Sequence, residues 1–230
     1  MSGLLGYERA LIVTAVEAER GEVLAGLGIG EQRGDALGDG SGVVVVACGV
    51  GPAAAAAVTA QMLGLGAQLG APFDVVLSAG IAGGFAGRVE IGGLVVATES
   101  IAADLGAEGP DGFQSVDELG FGTSRYDADA NLLRQLRVVL PEAVGGPVLT
   151  VSTVTGTARS KEAVEKRHPD AVAEAMEGFG VASAARVCAG VPFGEIRTIS
   201  NAVGPRDRAA WRIPQALATL REAFAALGER

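Results

Sequence analysis

Val43-Val-Val-Val-Ala-Cys48-Gly-Val-Gly-Pro52-Ala-Ala-Ala-Ala-Ala-Val58 is the stretch on which the fold turns. Its opening run of apolar residues, with no polar alternation, reads as a strand covered on both faces. The glycines behind it form a tight turn. Pro52 then stands near the first position of an alanine-rich helix, where its missing N–H does no harm. A doubly covered strand that feeds a helix is the building unit of a mostly parallel sheet flanked by helices.

The same alternation recurs on both sides. Ala10–Ala15 reads as a buried strand, and a helix opens at Glu17 with acids in its first turn, where the helix dipole favours them. Asp74–Ser78 and Leu94–Thr98 read as further strands, the first followed by a second glycine turn, Gly80-Ile-Ala-Gly-Gly84. Later come a helix over Asn131–Leu140, a strand over Pro147–Thr153, helices over Ser160–Lys166 and Phe179–Ala189, a strand over Phe193–Ser200 and a closing helix over Trp211–Leu227. No repeat or linker interrupts residues 1–230, which are read as one α/β domain. The segment Asp104–Gly122 is long, rich in turn residues and without periodicity, so it is expected to be a lid-like loop or a surface excursion.

Composition narrows the function. Apolar residues make up 49% of the chain and charged ones 20%, which suits a packed core and not disorder. A net charge of −9 argues against nucleic acid as a partner, since phosphate-backbone binding needs a basic surface. The single His and the distance between the two cysteines offer no metal-ligand spacing. Cys48 and Cys188 lie in apolar runs and are expected to be buried free thiols. The opening residues carry no basic-then-apolar leader pattern and no apolar run reaches membrane length, so a cytoplasmic protein without a membrane partner is expected.

Ligands of α/β sheets collect outside the carboxyl ends of the strands. Arg197, Ser200 and Asn201 fall there, and Glu177 precedes a helix in Met176-Glu-Gly178. Backbone amides of the two glycine turns are placed to cradle an anion or a sugar hydroxyl. Gly49-Val-Gly51 with Ala54 is only a loose match to the dinucleotide fingerprint, because the acid that should end the next strand, Asp74, begins it.

Taken together and in this order, Ala15-Val-Glu-Ala-Glu19, Gly49-Val-Gly-Pro52, Ala79-Gly-Ile-Ala-Gly-Gly84, Met176-Glu-Gly178 and Arg197-Thr-Ile-Ser-Asn201 resemble the purine nucleoside phosphorylase/nucleosidase superfamily. That superfamily includes the methylthioadenosine/S-adenosylhomocysteine nucleosidases. Asp104-Leu-Gly-Ala-Glu-Gly-Pro-Asp-Gly-Phe113, Asp117-Glu-Leu-Gly-Phe-Gly122 and Ile199-Ser-Asn-Ala-Val-Gly-Pro-Arg-Asp-Arg208 carry a closer likeness to its futalosine hydrolase family. The resemblance implies a three-layer α/β/α fold around a central mixed, mostly parallel, partly barrel-like sheet. It also implies no metal or cofactor, a homodimer or higher homo-oligomer, and a small-molecule nucleoside substrate. The implied reaction is N-glycosidic hydrolysis of futalosine, releasing hypoxanthine in a route to menaquinone.

By the same resemblance, Glu19 matches the carboxylate that activates the water; on its own it reads first as an acid opening a helix, favoured by the dipole. Glu177 matches the carboxylate that grips the ribose hydroxyls, with Met176 packed against the sugar. Arg197 matches an arginine near the water. Gly80 and Ile81 fall at the water side, Ile81 where nucleosidases usually carry a serine. The first glycine turn lacks the arginine with which phosphorylases hold phosphate, which favours water as nucleophile. Val154, Thr155, Phe179 and Ser200 fall where relatives line the nucleoside.

Asn201 stands where adenine-releasing relatives carry an Asp. An amide donates to O6 and accepts from a protonated N7, which suits a 6-oxopurine. It is no acid, so the proton for N7 comes from water or a neighbour such as Asp207. Arg206 and Arg208 are candidates for the carboxylate on the distal part of futalosine. His168 is expected on the surface. The alternatives are a nucleosidase or phosphorylase acting on inosine or methylthioadenosine, and a non-catalytic nucleoside-binding module.

Overall fold

The computed structural model describes residues 4–30, 42–110 and 112–229. In chain order the elements are β1 (Arg9–Thr14), α1 (Glu17–Leu27), β2 (Gly42–Ala47), α2 (Pro52–Gln68), β3 (Val75–Gly84), β4 (Leu94–Ala102), β5 (Gly106–Gly109), β6 (Gly112–Ser115) and β7 (Arg125–Asp127). There follow α3 (Ala130–Val139), β8 (Val144–Thr150), α4 (Ala158–Arg167), β9 (Ala173–Ala175), α5 (Gly178–Ala184), β10 (Phe193–Ala202) and α6 (Ile213–Gly228).

The main sheet runs β10-β4-β8-β9-β3-β1-β2, and β10 pairs back onto β3. Strands β3, β9, β8, β4 and β10 therefore close on themselves as a barrel, while β1 and β2 extend from it as an open wing. Pairing is mixed. β1–β2, β1–β3, β10–β3, β4–β8 and β8–β9 are parallel, and β10–β4, β3–β9 and β4–β7 antiparallel.

Strand periodicity explains the layers. β1 is buried at every position. Its residues alternate between two cores: Ala10 and Ile12 face Val23 and Leu24 of α1 and Leu220 and Phe224 of α6, whereas Leu11 and Val13 face Ala55 and Leu63 of α2 and Val181 of α5. Helices on both faces of a central sheet are the three layers expected from the sequence.

Two expectations need correction, and a third gains detail. Gly80–Gly84 is not a turn. β3 continues through it for ten residues, paired with β10 along its length. The glycines serve close approach: a Cβ on Gly80 would stand 2.5 Å from a Glu19 oxygen, and one on Gly84 2.8 Å from Ile199. The segment 104–122, expected as a lid-like loop or a surface excursion, carries an antiparallel hairpin of β5 and β6; Asp111 lies outside the described residues. Its strands are short and glycine-rich, so they left no alternation to read. Finally, Cys48 is buried as expected but Cys188 is exposed. It sits on the π-helical turn Ala185–Ala189 that follows α5, so its apolar neighbours do not all face the core.

His168, expected on the surface, is half-buried at the end of α4. Burial, aided by Arg167 and Arg125, lowers its imidazole to about 4. Among the described residues no helix is long and apolar enough to cross a membrane.

Candidate active site

The polar groups converge where β1, β3, β9 and β10 end. The first is Glu19. It occupies the first turn of α1, and its carboxylate folds back over the start of its own helix. Ala15 N–H and Val16 N–H donate to one oxygen at 2.9 and 3.1 Å, and Ile81 N–H donates to the other at 2.8 Å. The acid that caps the helix is thus also carried to the end of β3. The backbone of Ile81, not its side chain, makes this contact. Burial raises the Glu19 pKa above the ordinary value, against the Ile81 hydrogen bond and the charge of Arg197, and Glu177 adds to the rise.

Glu177 lies between β9 and α5. Its carboxylate accepts from Gly51 N–H at 3.3 Å, so the first glycine turn does cradle an anion, one supplied by the chain itself. It also accepts from Met176 N–H and from an Arg197 Nη1–H, each at 3.3 Å.

Arg197 is wholly buried behind these carboxylates. Its Nε–H donates to Glu195 at 2.8 Å and its Nη2–H to Ser78 Oγ at 2.9 Å. Burial alone would lower its pKa, but Glu195 and Glu177 outweigh that and hold it above the ordinary value. Burial pushes the Glu195 carboxyl up despite Arg197. Around one guanidinium the fold gathers Glu195, Glu177 and, farther off, Glu19. Such a centre is stable only while all its partners are present.

Gly80 makes this arrangement possible. A Cβ there would meet Glu19 Oε1 at 2.5 Å and Arg197 Nη1 at 3.0 Å. Gly80→Ala is therefore expected to displace the Glu19 carboxylate and lower kcat by about tenfold or more while the protein still folds. Full activity in a purified Gly80→Ala variant, measured against substrate turnover, would contradict this.

Two adjoining cavities open here, one of about 370 Å³ and one of about 150 Å³. Glu19, Ile81, Met176, Glu177, Ser200 and Asn201 line the larger one. Thr155 and Arg206 line the smaller one. Val154, Asn201 and Trp211 border both. Ser200 and Asn201 are consecutive, and in a regular strand they would point to opposite faces. The register of β10 against β3 shifts between Ile199 and Asn201, and this irregularity turns both toward the cavity. The Ser200 hydroxyl donates to Asn201 Oδ1 at 2.8 Å, and Asn201 Nδ2 donates to the Ala202 carbonyl at 3.0 Å.

Other sequence candidates lie outside the cavity walls. Arg197 and Gly80 stand behind them. Phe179 lines neither cavity: its N–H donates to Thr150 Oγ1 at 2.8 Å and its ring stacks on Tyr126 with centroids 5.2 Å apart. Arg208 also lines neither. Its guanidinium lies 6.0 Å from the centre of the Trp211 ring, and that of Arg206 lies 5.5 Å from it.

The sequence reading passed over Glu174, Glu195, Ser78 and Trp211. Glu195 carried a signal: it precedes Arg197 by two positions on a strand, which puts both side chains on one face. Glu174 carried none, because its strand is only three residues long.

A family profile described as the phosphorylase superfamily matches residues 22–230. A futalosine hydrolase of Streptomyces coelicolor is 55% identical over 80% of this chain and 77% of its own. The chain belongs to the futalosine hydrolase family of the phosphorylase superfamily. A second member of that family, from Acidothermus cellulolyticus, is 45% identical over 96% of this chain and 90% of its own. Among solved structures, a futalosine hydrolase of Helicobacter pylori superposes with a TM-score of 0.77, at 18% identity, over 96% of this chain and 97% of that one. This last likeness is one of fold.

Proposed function

We propose that this chain hydrolyses the N-glycosidic bond of futalosine, releasing hypoxanthine and dehypoxanthine futalosine. The observation that carries the reading is that Glu19 and Glu177 line one cavity, each held by backbone amides, with buried Arg197 bonded to Glu177. Cleavage of a glycosidic bond passes through an oxocarbenium-like sugar. Glu177 accepts hydrogen bonds from the ribose hydroxyls, and its charge lies near the developing cation. Glu19 takes a proton from water as the water oxygen bonds to the anomeric carbon. The electrons of the broken C–N bond leave with the purine, which takes up a proton.

Asn201 faces the base. With Ser200 and Ala202 satisfying one side of its amide, one N–H and one oxygen lone pair remain, which suit O6 and a protonated N7. Trp211 borders both cavities and carries Arg206 and Arg208 on its ring. This supports a role for the arginine pair with the distal carboxylate of the substrate. Alanine at either position is expected to raise KM for futalosine several-fold and leave KM for inosine unchanged; equal effects on both substrates would count against it. The site is read as belonging to one domain, in a cytoplasmic homo-oligomer whose place is the futalosine route of menaquinone biosynthesis.

The test is incubation with futalosine, inosine and methylthioadenosine, with and without phosphate. Hypoxanthine released from futalosine, independently of phosphate, is the expected result. Phosphate dependence, or adenine release as the main activity, would defeat the proposal.

A further inference from the structure

Arg197 is held tightly on its far side and loosely on the side of the cavity. Its Nε–H donates to Glu195 at 2.8 Å and its Nη2–H to Ser78 Oγ at 2.9 Å, whereas its Nη1–H meets Glu177 only at 3.3 Å. The other donors to Glu177, Gly51 N–H and Met176 N–H, stand equally far, at 3.3 Å each. A guanidinium and a carboxylate frequently join through two short, parallel hydrogen bonds. Arg197 and Glu177 are both buried, where such bonds are strongest, and yet one long bond joins them.

Glu195 accounts for this. It shares a face of β10 with Arg197, two positions on, and it is wholly buried. A Cβ on Gly178, the residue after Glu177, would stand 2.4 Å from either Glu195 oxygen. The carboxylate is therefore wedged between the guanidinium and the backbone that carries Glu177. With Ser78 it occupies Nε and Nη2 and leaves Nη1 to face the cavity. An ionised carboxylate has about four acceptor positions. On Glu177, Gly51 fills one at Oε1, while Met176 and Arg197 fill two at Oε2. A second N–H from Arg197 would close the position still open.

We infer that Glu195 is a positioning residue that keeps Arg197 from pairing bidentately with Glu177, and so leaves Glu177 able to accept the ribose hydroxyls. This rests on the reading of Glu177 as the carboxylate that binds the ribose. One hydroxyl takes the open position and the other displaces a long bond. Without Glu195, Arg197 turns a second N–H to Glu177 and competes with the sugar. The damage then falls on recognition of the hydroxyls and spares recognition of the base.

The experiment compares futalosine with its 2′-deoxy analogue. In the unsubstituted protein kcat/KM is expected to favour futalosine by about tenfold or more; no preference would defeat the reading of Glu177 and the inference with it. In Glu195→Leu the preference is expected to fall by about fivefold or more, with KM for futalosine raised. Hypoxanthine, which has no sugar, is expected to bind this variant as it binds the unsubstituted protein, measured by calorimetry. Glu195→Gln keeps an oxygen for the Arg197 Nε–H and is expected to retain most of the preference. A merely structural role for Glu195 predicts instead that both substrates and hypoxanthine suffer alike. That result, a preference unchanged in Glu195→Leu, or an equal loss in Glu195→Gln would each overturn the role of Glu195 and leave futalosine hydrolysis standing. Ser78→Ala frees Nη2 without removing a charge, and it tests the same restraint should Glu195→Leu not fold. Its preference is expected to fall several-fold, and an unchanged preference would overturn the inference.

Discussion

Glu19→Gln is expected to lower kcat for futalosine by about 10²- to 10⁴-fold, the usual contribution of a positioned general base. The glutamine cannot take the proton of the attacking water. It also cannot reproduce the anchoring, because the carboxylate accepts from Ala15 and Val16 through one oxygen and from Ile81 through the other. With one oxygen and one NH₂ group, the variant leaves a backbone donor unpaired, at a cost of about 1–3 kcal/mol. A modest fall in Tm should accompany the loss of turnover, with the circular dichroism spectrum unchanged. The pH dependence follows from the same residue. Its folded-state pKa is raised, and it acts as a base only when ionised. The acid limb of kcat/KM should therefore lie above the ordinary glutamate value of 4.5, activity falling as pH drops through it. A limb at or below that value would exclude Glu19 as the base.

Arg197→Met is expected to produce the largest loss of stability of any single substitution in the site. The guanidinium is fully buried and is the shared partner of Glu195 and Glu177. Removing one partner from a buried ionic cluster leaves uncompensated charge, which costs about 3–5 kcal/mol. The sharper form of the experiment pairs it with a second change. Replacing a buried ion pair by apolar groups is often close to neutral, so Arg197→Met with Glu195→Leu should recover the part of the loss that comes from Glu195, while buried Glu177 keeps only its backbone partners. It should not recover activity, because Glu177 would still lack its link to the guanidinium. Urea denaturation measures the first effect and hydrolysis of futalosine the second. A single variant as stable as the unsubstituted protein would show that the carboxylates do not depend on Arg197.

Much of the architecture was legible because its signals are local. The doubly buried strands at β1 and β2 showed as unbroken apolar runs, and Pro52 marked the start of α2. The strand β9 and the extension of β3 were not legible. β9 is three residues long, too short for periodicity, and the glycines that let β3 pass close to Glu19, Asn201 and Ile199 are the residues that read as a turn in isolation. The same limit applies to the site. Glu19, Glu177, Arg197 and Asn201 were picked out by resemblance and by their places at strand and helix ends. Glu174 and Glu195 matter through partners that only folding supplies, Thr155 for one and Arg197 for the other.

By itself the sequence determined the layered α/β class, the family and the chemical types available to the site. Those follow from hydrophobic periodicity and from motifs a few residues long. The tertiary structure decided which carboxylates share Arg197, which of them faces the cavity, and that Asn201 and Glu174 stand on either side of Gly83. These depend on closing the barrel, since pairing β3 with both β9 and β10 is what brings residues from distant parts of the chain into one row.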